Sequence, residues 1–344
     1  MTISVIIPAY NCSGSLKNVL DSIQASGLSA LEILIINDGS TDNTGAIAKQ
    51  LASSYRSLRV IDQTNRGVSS ARNRGIHEAV GNYVFFVDAD DSLIPGSLTD
   101  VNSILDENHP DMILFGMRFD YYRHGRIYRS DVLSYPTGGT MGPSEWGKDY
   151  ETLHACNMIS PVWNKLIRRD LIQDNRIEFR EDMIEMEDYL FSAQCLLHSE
   201  QIYVLDKAVY RYRQSENERN TFDRLWRINS LSRYVQPFYE IAEALEARFS
   251  GDGVDCGAGN IADQIYSSLF QEKLRYASPR KISLAASDML CGRYAHVIAR
   301  TNPNLYNKLK NKQYSRVWCE RMLRRARHYL AVQVKYIFSL RNRR

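Results

Sequence analysis

Two carboxylates one residue apart, Asp88 and Asp90 in Asp88-Ala89-Asp90-Asp91, follow the apolar run at 83–87. At the end of a buried strand, such a pair is a compact set of hard oxygen donors. It suits Mg²⁺ or Mn²⁺, with substrate phosphates completing the shell. The same acids would also serve a solvated turn capping a helix at 92–95; the all-apolar strand before them favours the metal. A second cluster, Asn37-Asp38-Gly39-Ser40-Thr41-Asp42, follows the run at 31–36. Asp38 can accept a hydrogen bond from a base N–H, and Gly39 lets the backbone come close to a ligand. Asp42 reads as a structural helix cap. A third cluster, Asn65-Arg66-Gly67-Val68-Ser69-Ser70-Ala71-Arg72, opens a helix. Arg72 falls in its first turns, where a guanidinium reaches phosphate or base. Arg66 and Arg74 read as solvated charges.

Further along, Glu185-Met186-Glu187-Asp188-Tyr189-Leu190-Phe191 places acids at a helix start, with Glu181-Asp182 just before. Acids favour a helix N-terminus for electrostatic reasons alone. Trp163 and Lys165 stand in the segment 161–169. Trp163 fits a sugar face or the core equally, and Lys165 fits a diphosphate or solvent. Residues 210–215, Tyr-Arg-Tyr-Arg-Gln-Ser, border donor phosphates or form an alternating edge strand.

These clusters need elements to position them. Apolar runs at 3–7, 31–36, 58–61 and 83–87 are rich in Ile and Val and bounded by turn residues, the pattern of buried parallel strands. Helical spacing recurs between them at Leu16, Val19, Leu20 and Ile23, and at Ile47, Ala48 and Leu51. The alternation predicts a doubly wound sheet, whose ligands bind at the carboxyl ends of the strands. Pro8-Ala9-Tyr10-Asn11 and the three clusters above all stand at such ends. Beyond 111 the spacing predicts a strand at 112–115, a hairpin at 121–128 turning at Gly125, a helix near 189–197, and short strands near 202–205 and 209–212. After 221 the chain reads as helical.

The 344 residues carry a net charge of +3, too little to argue for nucleic acid. Apolar residues make up 44%, enough for a sizeable core. Six cysteines lie apart, with no Cys-x-x-Cys, as expected of reduced thiols rather than a disulfide framework or zinc site. No signal-peptide pattern precedes Ile3, and no apolar run reaches the ~20 residues of a bilayer span. The expected location is cytoplasmic, or peripheral on the cytosolic face of the inner membrane.

The four motifs, in this order and spacing, make the chain resemble the inverting glycosyltransferases of family two. The match runs over roughly 3–100. The resemblance implies the GT-A fold: a Rossmann-like, mostly parallel α/β sheet with a helical C-terminal extension. Domains are expected at 1–220, with a nucleotide half 1–110 and an acceptor half 111–220, and at 221–344. Carried over residue by residue, the Pro8-Ala9-Tyr10-Asn11 backbone and the Tyr10 ring line the nucleoside. Asp38 binds the base, usually uracil. Arg72 holds the nucleotide, with Asn65, Ala89, Lys165 and Glu187 counted among the donor-binding positions. Asp88 contacts ribose or metal, and Asp90 is the direct ligand of Mn²⁺ or Mg²⁺. Asp188 aligns with the family's base, which deprotonates the acceptor hydroxyl.

The expected reaction moves one hexose or N-acetylhexosamine from a UDP-sugar to a lipid-linked glycan in bacterial surface polysaccharide synthesis. The other reading is a non-catalytic nucleotide-sugar scaffold or sensor. A dinucleotide oxidoreductase would need a Gly-x-Gly-x-x-Gly turn where Pro8–Asn11 stand. Gln313-Tyr314-Ser315-Arg316-Val317-Trp318 is one residue off the processive members' signature and is read as coincidence. From Arg316 to Arg344, basic residues crowd against one acid, Glu320, with apolar positions at helical spacing. A basic amphipathic helix there suits an anionic membrane surface, or packs on the domain.

Overall fold

The apolar runs become β1 (Ile3–Ala9), β2 (Leu31–Asp38), β3 (Leu58–Gln63) and β4 (Tyr83–Phe86), all mutually parallel in the order β3-β2-β1-β4. The computed structural model describes residues 1–344 except 30, 56, 124, 215–227, 229, 275–276, 292–294, 318 and 321–344. Helices α1 (Leu16–Ala25), α2 (Thr44–Ala52) and α3 (Val68–Glu78) connect these strands. β1 and β4 are buried almost throughout, as two-sided packing requires. β3 is the sheet edge and half exposed, so its apolar run is shorter than its neighbours'. Gly75 lets α3 sit on β1: a Cβ there would come within 2.3 Å of Ile6 Cγ2.

The remaining strands extend the same sheet. They are β5 (Ser92–Leu93), β6 (Met112–Arg123), β7 (Arg126–Leu133), β8 (Gly139–Met141), β9 (Lys165–Arg168) and β10 (Ile202–Gln214). The full order is β3-β2-β1-β4-β9-β6-β10-β5, with β7 on β6 and β8 on β10. β9 is antiparallel to both β4 and β6, so the sheet is mixed. The two short strands expected near 202 and 209 are one strand. Register shifts at Leu205, Ala208 and Tyr210 bend it without ending it, and polar Asp206-Lys207 interrupts the apolar pattern there. Residues 92–93 pair with β10 and do not start a helix.

After β5 come α4 (Val101–Asn108), α5 (Pro143–Lys148), α6 (Tyr150–Ala155), α7 (Arg169–Asp174) and α8 (Glu187–Leu197). The chain divides into two compact units, Met1–Glu218 with Glu240–Ala258, and Arg219–Tyr239 with Gly259–Arg344. In the first, Phe249 packs edge-on against Trp146 at 4.9 Å. In the second, described helices include Pro279–Cys291, Ala295–Thr301 and Pro303–Lys310. There Glu320 pairs with Lys308 at 2.5 Å and Arg316 at 3.4 Å. The rest of the basic tail, from 321, lies outside the described residues, as does Ser215.

Candidate active site

The loops after β1 and β2 are bound to one another. Asn11 adopts a left-handed conformation, φ 49°, which Asn tolerates better than most residues. Its Oδ1 accepts from the Thr41 backbone N–H at 2.8 Å, and its own N–H donates to Ser40 Oγ at 3.1 Å. Asp42, expected to cap α2, stands one residue before its N-cap, Asn43, and accepts from the Thr44 N–H at 2.9 Å. Gly39 has φ 65°, and a Cβ there would strike the Asn65 backbone N at 2.6 Å. That close approach brings the third loop against the second.

Asp38 is 4% exposed and committed to that third loop. Its Oδ1 accepts from the Arg66 N–H at 2.9 Å and Gln63 Nε2 at 2.8 Å, and its Oδ2 from the Gly67 N–H at 2.8 Å. These bonds set the start of α3, and with it Arg72. The expected base contact is therefore left to the lone pairs that remain on Asp38. Arg66 is exposed, as expected of a solvated charge, and pairs at the surface with Glu181 at 2.8 Å.

β4 delivers the acid motif. Ser15 Oγ at the start of α1 donates to the Ala89 carbonyl at 2.5 Å. The Asp88 N–H donates to Tyr210 Oη at 3.0 Å, and that hydroxyl donates to Asp91 Oδ2 at 2.8 Å. Asp91 Oδ1 accepts from the Arg213 N–H at 2.8 Å. Asp91 is thus turned away from Asp90 and ties the motif to β10. Burial, reinforced by Asp88, pushes the Asp91 carboxyl up to about 8. Burial and Asp88 also raise Asp90.

Arg72 stands at the centre, 4% exposed. Its guanidinium lies 2.5 Å from Asp188 Oδ1, 3.2 Å from Asp88 Oδ1 and 3.6 Å from Glu187 Oε1. It also lies over the Phe179 ring at 5.3 Å. Burial opposes its charge, but Asp188, Asp88 and Glu187 together outweigh burial and raise its pKa. Glu187 and Asp188 form the first turn of α8, entered through Met186 at φ 67°. A left-handed non-glycine residue is a strained entry, of the kind that collects at functional sites. Burial pushes the Asp188 carboxyl up to about 7. Arg72 and Lys165 oppose that rise, while Glu187 and Asp88 add to it.

A cavity of about 400 Å³ opens at this rim, lined by Pro8, Tyr10, Asn11, Cys12, Ser15, Val68, Arg72, Asp88, Ala89 and Asp90. Seven expected positions therefore share one cleft. Asp188 and Glu187 join it through Arg72. Asn65 is exposed, and neither it nor Ala9 lines the cavity. Lys165 departs from its expected role. It is fully buried, and its ammonium donates to the Pro161 and Ile159 carbonyls and to Asn164 Oδ1. Burial lowers its pKa to about 7. An ammonium so engaged braces the turn before β9 and does not point at a diphosphate. Trp163 is a core ring, stacked on Tyr210 at 4.3 Å and Tyr212 at 5.4 Å, with no face left for a sugar. Asp91 carried no role of its own in the sequence, and Tyr210, expected with 210–215 to border donor phosphates or form an edge strand, lies on β10, an inner strand between β6 and β5. Their one signal was an extra acid after Asp-x-Asp and a Tyr on an alternating strand. Nothing pointed to Phe179.

Among the described residues no group of three His, Cys, Asp or Glu is placed to hold a cation. The donor set fits a metal only in the sense of a shared site. Asp90 presents a carboxylate to the cleft, Asp88 a second one, and a ligand's phosphates would supply the rest.

Polar loops gathered at the carboxyl rim of a Rossmann-like sheet, around an acid-and-arginine cleft, are the GT-A architecture. The model for "Glycosyl transferase family 2" matches residues 4–171. A Bacillus subtilis uncharacterized glycosyltransferase, EpsJ, is 32% identical over 216 residues, 62% of each chain. An Escherichia coli uncharacterized glycosyltransferase, YibD, is 34% identical over 234 residues, 64% of this chain and 67% of that one. The crystal structure of Staphylococcus aureus TarS 1–349 in complex with UDP-GlcNAc superposes with TM-score 0.60 at 23% identity, over 92% of this chain and 89% of that one. The chain belongs to glycosyl transferase family 2. It spans a little under two thirds of the length of EpsJ.

Proposed function

We propose that this protein transfers a single hexose or N-acetylhexosamine, with inversion, from a UDP-sugar to a lipid-linked glycan of a bacterial surface polysaccharide. One observation carries the reading: a single buried arginine, Arg72, joins Asp88 of the cleft to Asp188 at the start of α8. The rim of the cleft receives the nucleotide, with the Tyr10 ring and the Asn11 loop along it. UDP as the nucleotide is supported by the crystal structures of Staphylococcus aureus TarS 1–349 in complex with UDP and with UDP-GlcNAc.

In this reading Asp188 is the general base. The acceptor oxygen bonds to the anomeric carbon as that carbon's bond to the diphosphate breaks, and the acceptor proton passes to the Asp188 carboxylate. A base whose pKa lies near the working pH is efficient in such a step. Arg72 orients Asp188 and adds positive charge beside the departing diphosphate. Asp90 and Asp88 would hold a divalent cation, which when bound offsets charge on the leaving group. The basic tail from 321 is proposed to meet an anionic membrane surface, where a lipid-linked acceptor resides.

The deciding experiment is a panel of nucleotide sugars with Mn²⁺, reading the nucleoside diphosphate released with and without acceptor glycans. Selective release from one UDP-sugar is the expected result. Binding of the panel with no release under any acceptor would leave a sensor rather than an enzyme.

A further inference from the structure

Arg72 makes its ion pairs through its two Nη atoms. Among the described residues its buried Nε has no hydrogen-bond partner. The pairs by themselves therefore leave the tilt of the guanidinium open, and the ring beside it supplies the missing restraint. The Phe179 ring centre lies 5.3 Å from the Arg72 guanidinium, which sits over it. Phe179 in turn stacks on Phe191, at 3.9 Å and 6° between planes. Phe86 closes the cluster edge-on, 5.4 Å from Phe179 and 5.9 Å from Phe191. All three rings are buried, where a contact between a cation and a ring is strongest. Phe191 stands one turn after Asp188, on the same side of α8. Arg72 thus meets α8 twice, at the Asp188 carboxylate and through the Phe179–Phe191 stack.

Phe179 belongs to no helix or strand. A side chain 106 residues back holds it: Asn73 Nδ2 donates to the Phe179 carbonyl at 2.8 Å, and Asn73 Oδ1 accepts from the Phe179 N–H at 2.8 Å. A primary amide carries a donor and an acceptor together, so one side chain satisfies both main-chain groups of a buried loop residue. Asn73 directly follows Arg72 on α3. One turn of helix therefore carries the guanidinium and also sets the ring it rests on. The exposed Arg66–Glu181 pair ties the same loop to the start of α3, and an exposed pair adds little.

We propose that Asn73 and Phe179 are positioning residues for the reaction. Asn73 fixes the Phe179 ring, and the ring fixes the plane of Arg72 between Asp88 and Asp188. This rests on the glycosyl-transfer reading above. Neither residue lines the cavity, so each acts through Arg72 and not by touching the donor. Rate is sensitive to such placement: a shift of about 1 Å at the site can cost about 10²-fold.

The test uses the full chain with Asn73→Ala and Phe179→Leu, each also made on Arg72→Lys. The first readout needs no turnover. In protein carrying isotope-labelled arginine, the Arg72 guanidinium protons are assigned by their loss in Arg72→Lys. Held over a ring, they are shifted upfield by its ring current. Asn73→Ala keeps the ring but releases its backbone, and should move these protons toward the position of exposed arginines. The second readout is the UDP released by the fastest UDP-sugar and acceptor of the panel above. Each substitution should lower kcat by about tenfold and leave KM within about threefold, as misplacement of a group outside the donor contacts does. On Arg72→Lys each should cost less than about twofold, because residues acting through one group are not additive. Melting temperatures in both backgrounds read the purely structural part, which should be the same in each. Arg72 protons unmoved by Asn73→Ala overturn the proposal. So do kcat losses that recur in full on Arg72→Lys. Absence of UDP release by the wild type with every pair of the panel strikes the glycosyl-transfer reading instead, and the arginine spectrum then decides the clamp by itself.

Discussion

Arg72 stands 2.5 Å from Asp188 Oδ1 and 3.2 Å from Asp88 Oδ1, so two acid motifs a hundred residues apart share one cation. Arg72→Lys keeps the charge but gives one point charge in place of a planar fork with several donors. It cannot hold both acids in place at once. Transfer should fall by at least about tenfold with modest loss of stability. Arg72→Ala removes the cation that Asp188, Asp88 and Glu187 share. Breaking a buried pair costs about 3–5 kcal/mol, and the partly exposed acids put this site at the low end. Thermal melting of both variants beside their transfer rates checks this. A fully active lysine variant would show that the bridge has no part in turnover.

Asp188→Asn should keep UDP binding and lose about 10²–10⁴-fold in transfer, the usual cost of a lost general base. Calorimetry with UDP and a product assay measure the two halves. Unchanged turnover would remove Asp188 from the mechanism.

The acid side of the pH–rate profile follows from the same residue. A carboxylate accepts a proton only when ionised. Burial raises the Asp188 pKa, so its basic form is lost as pH falls through that raised value. The kcat/KM profile should therefore drop on going below about pH 7, well above the ~4 of an ordinary aspartate. Glu187 is among the groups that raise Asp188. Glu187→Gln removes that like charge, lowers the Asp188 pKa and shifts the acid limb to lower pH. A limb that stays in place assigns it to another group.

Asp90→Ala should weaken UDP binding in the presence of Mn²⁺ and leave the metal-free affinity nearly unchanged. The reason is that the cleft's acids hold a cation only together with phosphate oxygens. Equal affinity with and without Mn²⁺ in the wild-type protein would argue against a metal at Asp90.

Lys165→Met tests the inward ammonium. It removes the donor to the Pro161 and Ile159 carbonyls, and unsatisfied buried acceptors cost about 1–3 kcal/mol. Melting temperature should fall while UDP affinity holds. A selective loss of UDP affinity with unchanged melting would return Lys165 to the donor site.

The sequence alone determined the sheet's parallel half and part of the cleft's lining; Ala9, Asp38, Asn65 and Lys165 were expected at the site and do not line the cavity. Four runs of Ile, Val and Phe, each closed by a polar cluster, admit few arrangements other than parallel strands with their loops at one rim. Local pattern therefore carried Tyr10, Arg72, Asp88 and Asp90 to a common place. What the tertiary structure decided was direction and partnership. Lys165 turned inward because its neighbours are carbonyls at 159 and 161, a contact no spacing reveals. Trp163 became core because β10 laid Tyr210 and Tyr212 against it. Asp38 went to the loop and Asp91 to Tyr210. Each outcome depends on which side of a strand faces which neighbour, and on residues tens of positions away. Residue type announces that an acid or a ring is available; only packing in three dimensions settles what it touches.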